Sequence, residues 1–388
     1  MPLHTLAVAT RRPRRPRRPR RPHRRALISF VLLLAAPLTV IGVVLGLTFF
    51  GPKVSSARPF PRSFFIASID TMKESMDTDA PGRQLSDGEI ASDVGVAGRL
   101  GGTHITVDTY WDYPGYMGRW VAAVRAIGKH VWFRLHPSAW EGDNGMAASL
   151  APTDYLRLER DFIVSHASLF RPGDILDPCP EPENSPYWRR VYGPNWTSRR
   201  DAADAYNSFM EQTTDIAQRA LRLARVRDVA TTIRSTSAWF ALHPAILYPS
   251  TVAHLGVITV DSYPDGASLD PAVAARARVL ELDAIERARR VPVVVGEMGY
   301  STRMLVDDAT QRAVLAAEFA ALRPLPYLIG VNYWVGAGSA RYDGTRLFTG
   351  APGNWALRPA AHDLAAFYSA RTRTNRTSDA ADTSGNRR

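Results

Sequence analysis

The chain has 388 residues, 45% of them hydrophobic and 22% charged, a balance that fits a packed globular domain and excludes general disorder. Its net charge of +11 points at first to nucleic acid, but ten of the positive charges are arginines between Arg11 and Arg25. The remainder is close to neutral, so no nucleic-acid partner is expected. With Cys179 its one cysteine, the chain can form neither an intramolecular disulfide nor a cysteine-based zinc site.

Residues 1–25 form a basic tail in which Arg-Arg-Pro repeats from Arg11 to Pro22. Proline at every third position forbids helix and favours an extended, solvated chain. Residues 26–50 follow without a charge. That is long enough to cross a hydrocarbon core of about 30 Å, and longer than the roughly 7–15 apolar residues of a cleaved secretory signal. The expectation is a single-pass transmembrane signal-anchor in the cell membrane, with the N-terminus cytoplasmic and the remainder extracytoplasmic. The arginine-rich tail would lie on anionic lipid. Secretion after cleavage near Ser55-Ser56-Ala57 is the alternative. Residues 51–62, with Pro52, Pro59 and Pro61, read as a linker.

From 63 to 370, short apolar β-rich runs alternate with helical patterns. The predicted strands are 64–69, 104–107, 131–135, 174–176, 229–233, 257–260, 293–295 and 328–333, read as apolar on both faces. Helices are expected over 153–170 with Thr153 as cap, 200–224, 271–290 and 307–322. Eight such units over about 310 residues match an α/β (β/α)8 TIM barrel. A doubly wound sheet lacks support, because Asp70-Thr71-Met72 and not a glycine-rich loop follows the first run. The polar stretch 371–388 is expected to be disordered.

In a barrel, reactive groups stand at the C-terminal ends of strands. Those ends supply Asp70, Asp108 with Tyr110 and Trp111, Arg134 with His136, Glu181 and Glu183, Tyr263, Glu297, and Asn332 with Tyr333 and Trp334. Carboxylates suit acid–base and glycosyl chemistry, and flat aromatic rings suit the C–H faces of sugars. The absence of a metal-like His/Asp spacing and of a Gly-x-Ser-x-Gly elbow leaves no metal or cofactor to expect. A lyase or aldolase would need a Schiff-base lysine, and Lys129 lies at the wrong end of its strand.

Val293-Val294-Val295-Gly296-Glu297-Met298-Gly299 places a glutamate at the end of the seventh apolar run, between glycines that would leave room for a substrate. Here the chain resembles the clan A superfamily of retaining barrel glycoside hydrolases. The resemblance covers roughly 63–370 and rests on two short motifs in the right strand order. It implies that Glu297 is the nucleophile of a double displacement on a carbohydrate. It also implies an acid/base glutamate after the fourth strand, in an Asn-Glu-Pro context. The chain has Cys179-Pro180-Glu181-Pro182-Glu183-Asn184 there, so Glu181 aligns as acid/base, with Glu183 as the competing acid.

Pro180 replaces the family's asparagine, and Asn184 or His136 are candidates for its lost sugar contact. The resemblance further implies that Tyr263 bonds the nucleophile and that Trp334 is a sugar platform. Asp108, Tyr110, Arg134 and His136 are read as further substrate contacts, Arg134 alternatively as an ion-pair partner of a rim carboxylate. Trp140, Trp188 and Trp196 fall on predicted loops and are read as sugar subsites, Trp188 foremost. A non-catalytic carbohydrate-binding barrel and a transglycosylase acting on a surface polysaccharide are the competing functions. No protein partner is indicated.

Overall fold

The computed structural model describes residues 65–142, 147–264, 268–299, 306–338 and 344–385, with side chains as far as Arg373. The basic tail, the apolar span and the linker expected over 1–62 lie outside the described residues, and among those described no helix is long and apolar enough to cross a membrane.

Eight parallel strands make one sheet: β1 (Ile66–Asp70), β2 (His104–Tyr110), β3 (His130–His136), β4 (Ile175–Asp177), β5 (Ser235–Ser237), β6 (Ile258–Ser262), β7 (Val293–Met298) and β8 (Leu328–Tyr333). Their order is β4-β3-β2-β1-β8-β7-β6-β5. Closure comes from a parallel bridge between Ile175 and Ala230, where Leu176 N–H donates to Ala230 O at 2.7 Å and Ala230 N–H to Asp174 O at 2.9 Å. The fold is the (β/α)8 barrel expected from the strand pattern.

All eight strands fall where apolar runs were read, except the fifth. Its apolar run, 229–233, supplies the bridge to β4, while β5 itself is the polar Ser-Thr-Ser segment that pairs with β6. Buried polar bonds hold it. Ser235 N–H donates to Asp177 at 2.9 Å, and Arg234 to the same carboxylate at 3.1 Å.

The inner face also departs from the expected apolar pattern. Ile66, Trp132, Ile175, Ile233, Val257, Val294 and Ile329 pack into an apolar floor. Above it Ser68, Asp70, Thr106, Asp108, Arg134, Asp177, Asp261 and Asn332 are buried at 3% exposure or less. Hydrogen bonds make this layer tolerable. Thr106 Oγ1 donates to Asn332 at 2.9 Å and pairs with Ser68 at 2.8 Å, and Asn332 donates to Asp70 at 2.8 Å.

The helices follow ordinary terminal chemistry. Pro152 opens Pro152–Ser165 one residue before Thr153, which therefore is not its cap. Asp270 and Asp307 cap the helices Pro271–Arg289 and Asp308–Leu322 with side-chain bonds. The stretch expected to be disordered from Arg371 continues the helix Pro359–Gly385. No proline interrupts it, and Arg371 donates to the carbonyls of Arg323 at 2.8 Å and Leu325 at 3.3 Å.

Candidate active site

Glu297, one residue before the end of β7, follows a bulge. Val260 pairs with Val295, but the next residue, Asp261, pairs with Glu297, so Gly296 is the extra residue. Strand alternation would turn Glu297 away from the interior; the bulge turns both Gly296 and Glu297 inward. A Cβ on Gly296 would lie 2.5 Å from Asp261 Oδ1 and 2.6 Å from Ser235 Oγ, and one on Gly299 2.0 Å from Thr345 Oγ1. The flanking glycines thus allow close packing of protein on protein, a correction to their reading as room for substrate.

Both Glu297 oxygens accept hydrogen bonds, Oε1 from Arg134 Nη1 and Oε2 from Tyr263 OH at 3.0 Å. Arg134, 2% exposed, also reaches Asp70 and Asp261, each at 3.3 Å. Its substrate-binding reading gives way to the ion-pair one: the guanidinium is spent on carboxylates of β1, β6 and β7. Burial, and then the neighbouring Glu297 carboxylate, pushes Asp261 well above the usual range. Asp108 is driven the same way by burial, against the pull of Arg134. It is 1% exposed, with Oδ1 buried and without a hydrogen-bond partner.

Glu181 follows β4 with φ +42° and ψ +56°, a left-handed conformation rare outside glycine. Its N–H donates to Ser235 O at 3.0 Å and its carbonyl accepts from Asn184 N–H at 2.9 Å. Asn184 Nδ2 donates to its carboxylate at 2.8 Å, so Asn184 grips the acid side chain. Burial first, then the charges of Glu297 and Glu183, push the Glu181 carboxyl up to about 8.

Glu183 is consumed elsewhere. It accepts from Ser237 N–H at 2.7 Å, Thr236 at 2.8 Å and Tyr206 OH at 3.0 Å. Those bonds pin the loop after β4 to β5 and leave Glu183 as its anchor.

The aromatic residues divide. Trp334 (8% exposed) follows β8 and meets Tyr263 edge-on at 6.1 Å, with the Lys73 ammonium 5.7 Å from its ring centre. Tyr110 and His136 are buried against each other at 5.3 Å, and His136 Nε2 lies 3.9 Å from Glu141. The three loop tryptophans are not exposed. Trp140, Trp188 and Trp196 are at most 3% exposed. Trp188 stacks on Trp196 at 5.6 Å and donates Nε1–H to Pro182 O at 2.7 Å. The subsite reading of Trp188 is therefore corrected: its ring packs on Tyr206 and Phe209 of the helix Arg200–Leu223 and belongs to the main hydrophobic core.

Sequence reasoning passed over Asp261, although it stands two residues before Tyr263, and also Glu141 and Lys73. Among the described residues no cluster of three or more His, Cys, Asp or Glu is placed to hold a metal.

No protein-family model and no curated protein matches the chain. Solved structures do. The barrel is similar to a GH5_18 from Bifidobacterium longum subsp. infantis, with TM-score 0.58, 16% identity and 79% of each chain covered. A GH5_18 from Streptomyces cattleya in complex with GlcNAc matches with TM-score 0.57, 15% identity and 82% of each chain. A family 5 xyloglucanase from Paenibacillus pabuli matches with TM-score 0.52 and 11% identity, over 80% of this chain and all (100%) of that one. The resemblance to clan A glycosidases read from two motifs holds at the level of the fold.

Proposed function

We propose that this chain is a retaining glycoside hydrolase acting on an oligo- or polysaccharide outside the cytoplasm, held at the cell membrane by residues 26–50. The observation that carries this reading is a pair of glutamates in contrasting settings. Glu297 accepts from a guanidinium and a phenol, while Glu181, whose carboxyl burial and neighbouring charge raise to about 8, keeps its proton at neutral pH. The solved relatives, among them one holding GlcNAc, support the same reading.

In the first step Glu297 attacks the anomeric carbon. The C–O bond to the leaving group breaks, and Glu181 gives its proton to that oxygen. In the second, Glu181 takes a proton from water, the water oxygen bonds the anomeric carbon, and Glu297 leaves as carboxylate. Esterification of Glu297 removes the charge that helps hold the Glu181 proton, which favours its switch from acid to base. Arg134 and Tyr263 fix both Glu297 oxygens during the cycle.

Turnover of a panel of aryl β-glycosides by wild type and Glu297→Gln, with the first-formed anomer read by NMR, tests the proposal. A retained anomer and a loss of about 10⁴-fold or more in the variant are expected. Sugar binding without turnover would make the chain a binding protein, and inversion would remove the nucleophile role.

A further inference from the structure

All eight strands are parallel, so every connection from a helix to the next strand lies at one end of the barrel, opposite the catalytic end. The two ends differ in charge. Asp70, Asp108, Glu181, Glu183, Asp261 and Glu297 stand at the catalytic end. The other end exposes Arg99, Arg171, Arg225, Arg227, Arg290 and Arg323, spread over the connections before β2, β4, β5, β7 and β8. Among the described residues no ion pair engages these arginines. Asp228 is the one exposed acid described on those connections, and Asp174 is buried in a pair with Arg125. Two of the arginines sit where glycine is the relaxed residue. Arg225 (φ +60°) and Arg290 (φ +55°) are left-handed, a conformation that Gly101, Gly128, Gly173 and Gly256 supply elsewhere on the same face. What arginine adds at these two positions is exposed charge.

The same face carries exposed apolar side chains. Leu223, the last residue of the helix Arg200–Leu223, is 70% exposed, the most open large hydrophobic among the described residues. Ile127, between the helix Pro114–Ala126 and β3, is 39% exposed. Guanidinium groups that have no acid to pair with, beside an open leucine, suit the surface of an anionic bilayer: the charges meet lipid phosphates and the leucine the acyl boundary. Chain connectivity points to the same partner. The expected span ends at Phe50 and β1 begins at Ile66, so the chain reaches the barrel at this face after a short linker. We propose that the basic face lies on the extracytoplasmic surface of the anionic bilayer that residues 26–50 cross, with Leu223 at the acyl boundary. The catalytic end is then turned away from that membrane, toward polymer beyond it and not toward sugars on its own lipids. This rests on the membrane location proposed above and not on the glycosidase chemistry.

The test uses the full chain with Leu223→Cys carrying a fluorophore, reconstituted into vesicles of phosphatidylcholine alone or with an equal part of phosphatidylglycerol. Each vesicle contains a lipid with a nitroxide on its headgroup as quencher. Cys179 is buried, which leaves the added thiol as the reactive one. Emission should fall about twofold or more with phosphatidylglycerol, recover in about 0.5 M salt and stay high in phosphatidylcholine. A label at Arg83→Cys, exposed on the catalytic side, should stay bright in both. Combining Arg225→Gly, Arg227→Gln and Arg290→Gly should remove most of the lipid difference with the melting temperature kept or raised, since glycine relaxes both left-handed positions. The arginine-rich tail cannot imitate this result, because the label reports position 223. Equal emission in both lipids, or a difference that the triple variant keeps, would overturn the proposal; resistance to alkaline carbonate would then leave the anchor standing. Release by carbonate would remove the anchor, and the same label read against added vesicles then decides the face: quenching supports it and no quenching overturns it. A label that responds to soluble polyphosphate but to neither vesicle would assign the face to a soluble polyanion and overturn the proposal.

Discussion

At the residue scale, one guanidinium is asked to serve several acids. Arg134 lies within 3.3 Å of Asp70 and Asp261 and also bonds Glu297. Burial raises the carboxyls of Asp70, Asp108, Asp261 and Glu181, and the shared guanidinium offsets this only in part. The effect is most useful at Glu181. Its raised value means that the acid form is present below about 8 and lost as pH rises through it. An alkaline fall of kcat/KM near that pH is expected. Glu181→Gln should cost about 10²–10⁴-fold on substrates with poor leaving groups and abolish that limb. Glu183→Gln should keep the limb and lose less than about tenfold, because its part is to anchor a loop. A pH profile in which Glu183→Gln, and not Glu181→Gln, removes the limb would exchange their roles.

These roles were only half visible in the sequence. Glu297 and Glu181 could be found from strand ends and motif register, as could Tyr263. Motif register already favoured Glu181 over Glu183; what the sequence could not show is that Glu183 accepts from Ser237, Thr236 and Tyr206, donors more than twenty positions away in the chain. The hub role of Arg134 depends likewise on residues from β1, β6 and β7.

At the scale of elements, the bulge in β7 is the device that aims Glu297 inward. A glycine before the glutamate was legible; its reason was not, because it lies in the side chains of Asp261 and Ser235 across the neighbouring strands. Gly296→Ala should destabilise the barrel by about 1–3 kcal/mol through overpacking and lower kcat more than it raises KM, by displacing Glu297. Urea unfolding with parallel kinetics checks both; wild-type values in each would remove the bulge from the account. β5 shows the opposite limit. A three-residue polar strand held by Asp177 has no apolar period to announce it, so the neighbouring apolar run was read in its place. The loop tryptophans failed for a related reason: segments that follow β3 and β4 fold back onto the helix Arg200–Leu223 and join the main core, and sequence position alone does not distinguish that from exposure.

At the scale of the whole molecule, the strand count was legible because short β-rich runs alternate with helical patterns, and seven of the eight runs coincide with strands of the sheet. Location is argued from residues 1–62 by length and charge. The full chain produced in a bacterium should sediment with membranes, resist alkaline carbonate, and expose the barrel to protease from outside the membrane. Release by carbonate, or protection of the barrel from that protease, would remove the anchor from the account.

The proposed double displacement requires Glu297 to bond to an anomeric carbon. Incubation of the protein with a panel of 2-deoxy-2-fluoro glycosides bearing a good leaving group, followed by peptide mass mapping, addresses it directly. One equivalent of fluoro sugar is expected on the peptide containing Glu297, and none in Glu297→Gln. A stable label on another carboxylate would contradict it, as would turnover of the parent glycosides without any labelled Glu297.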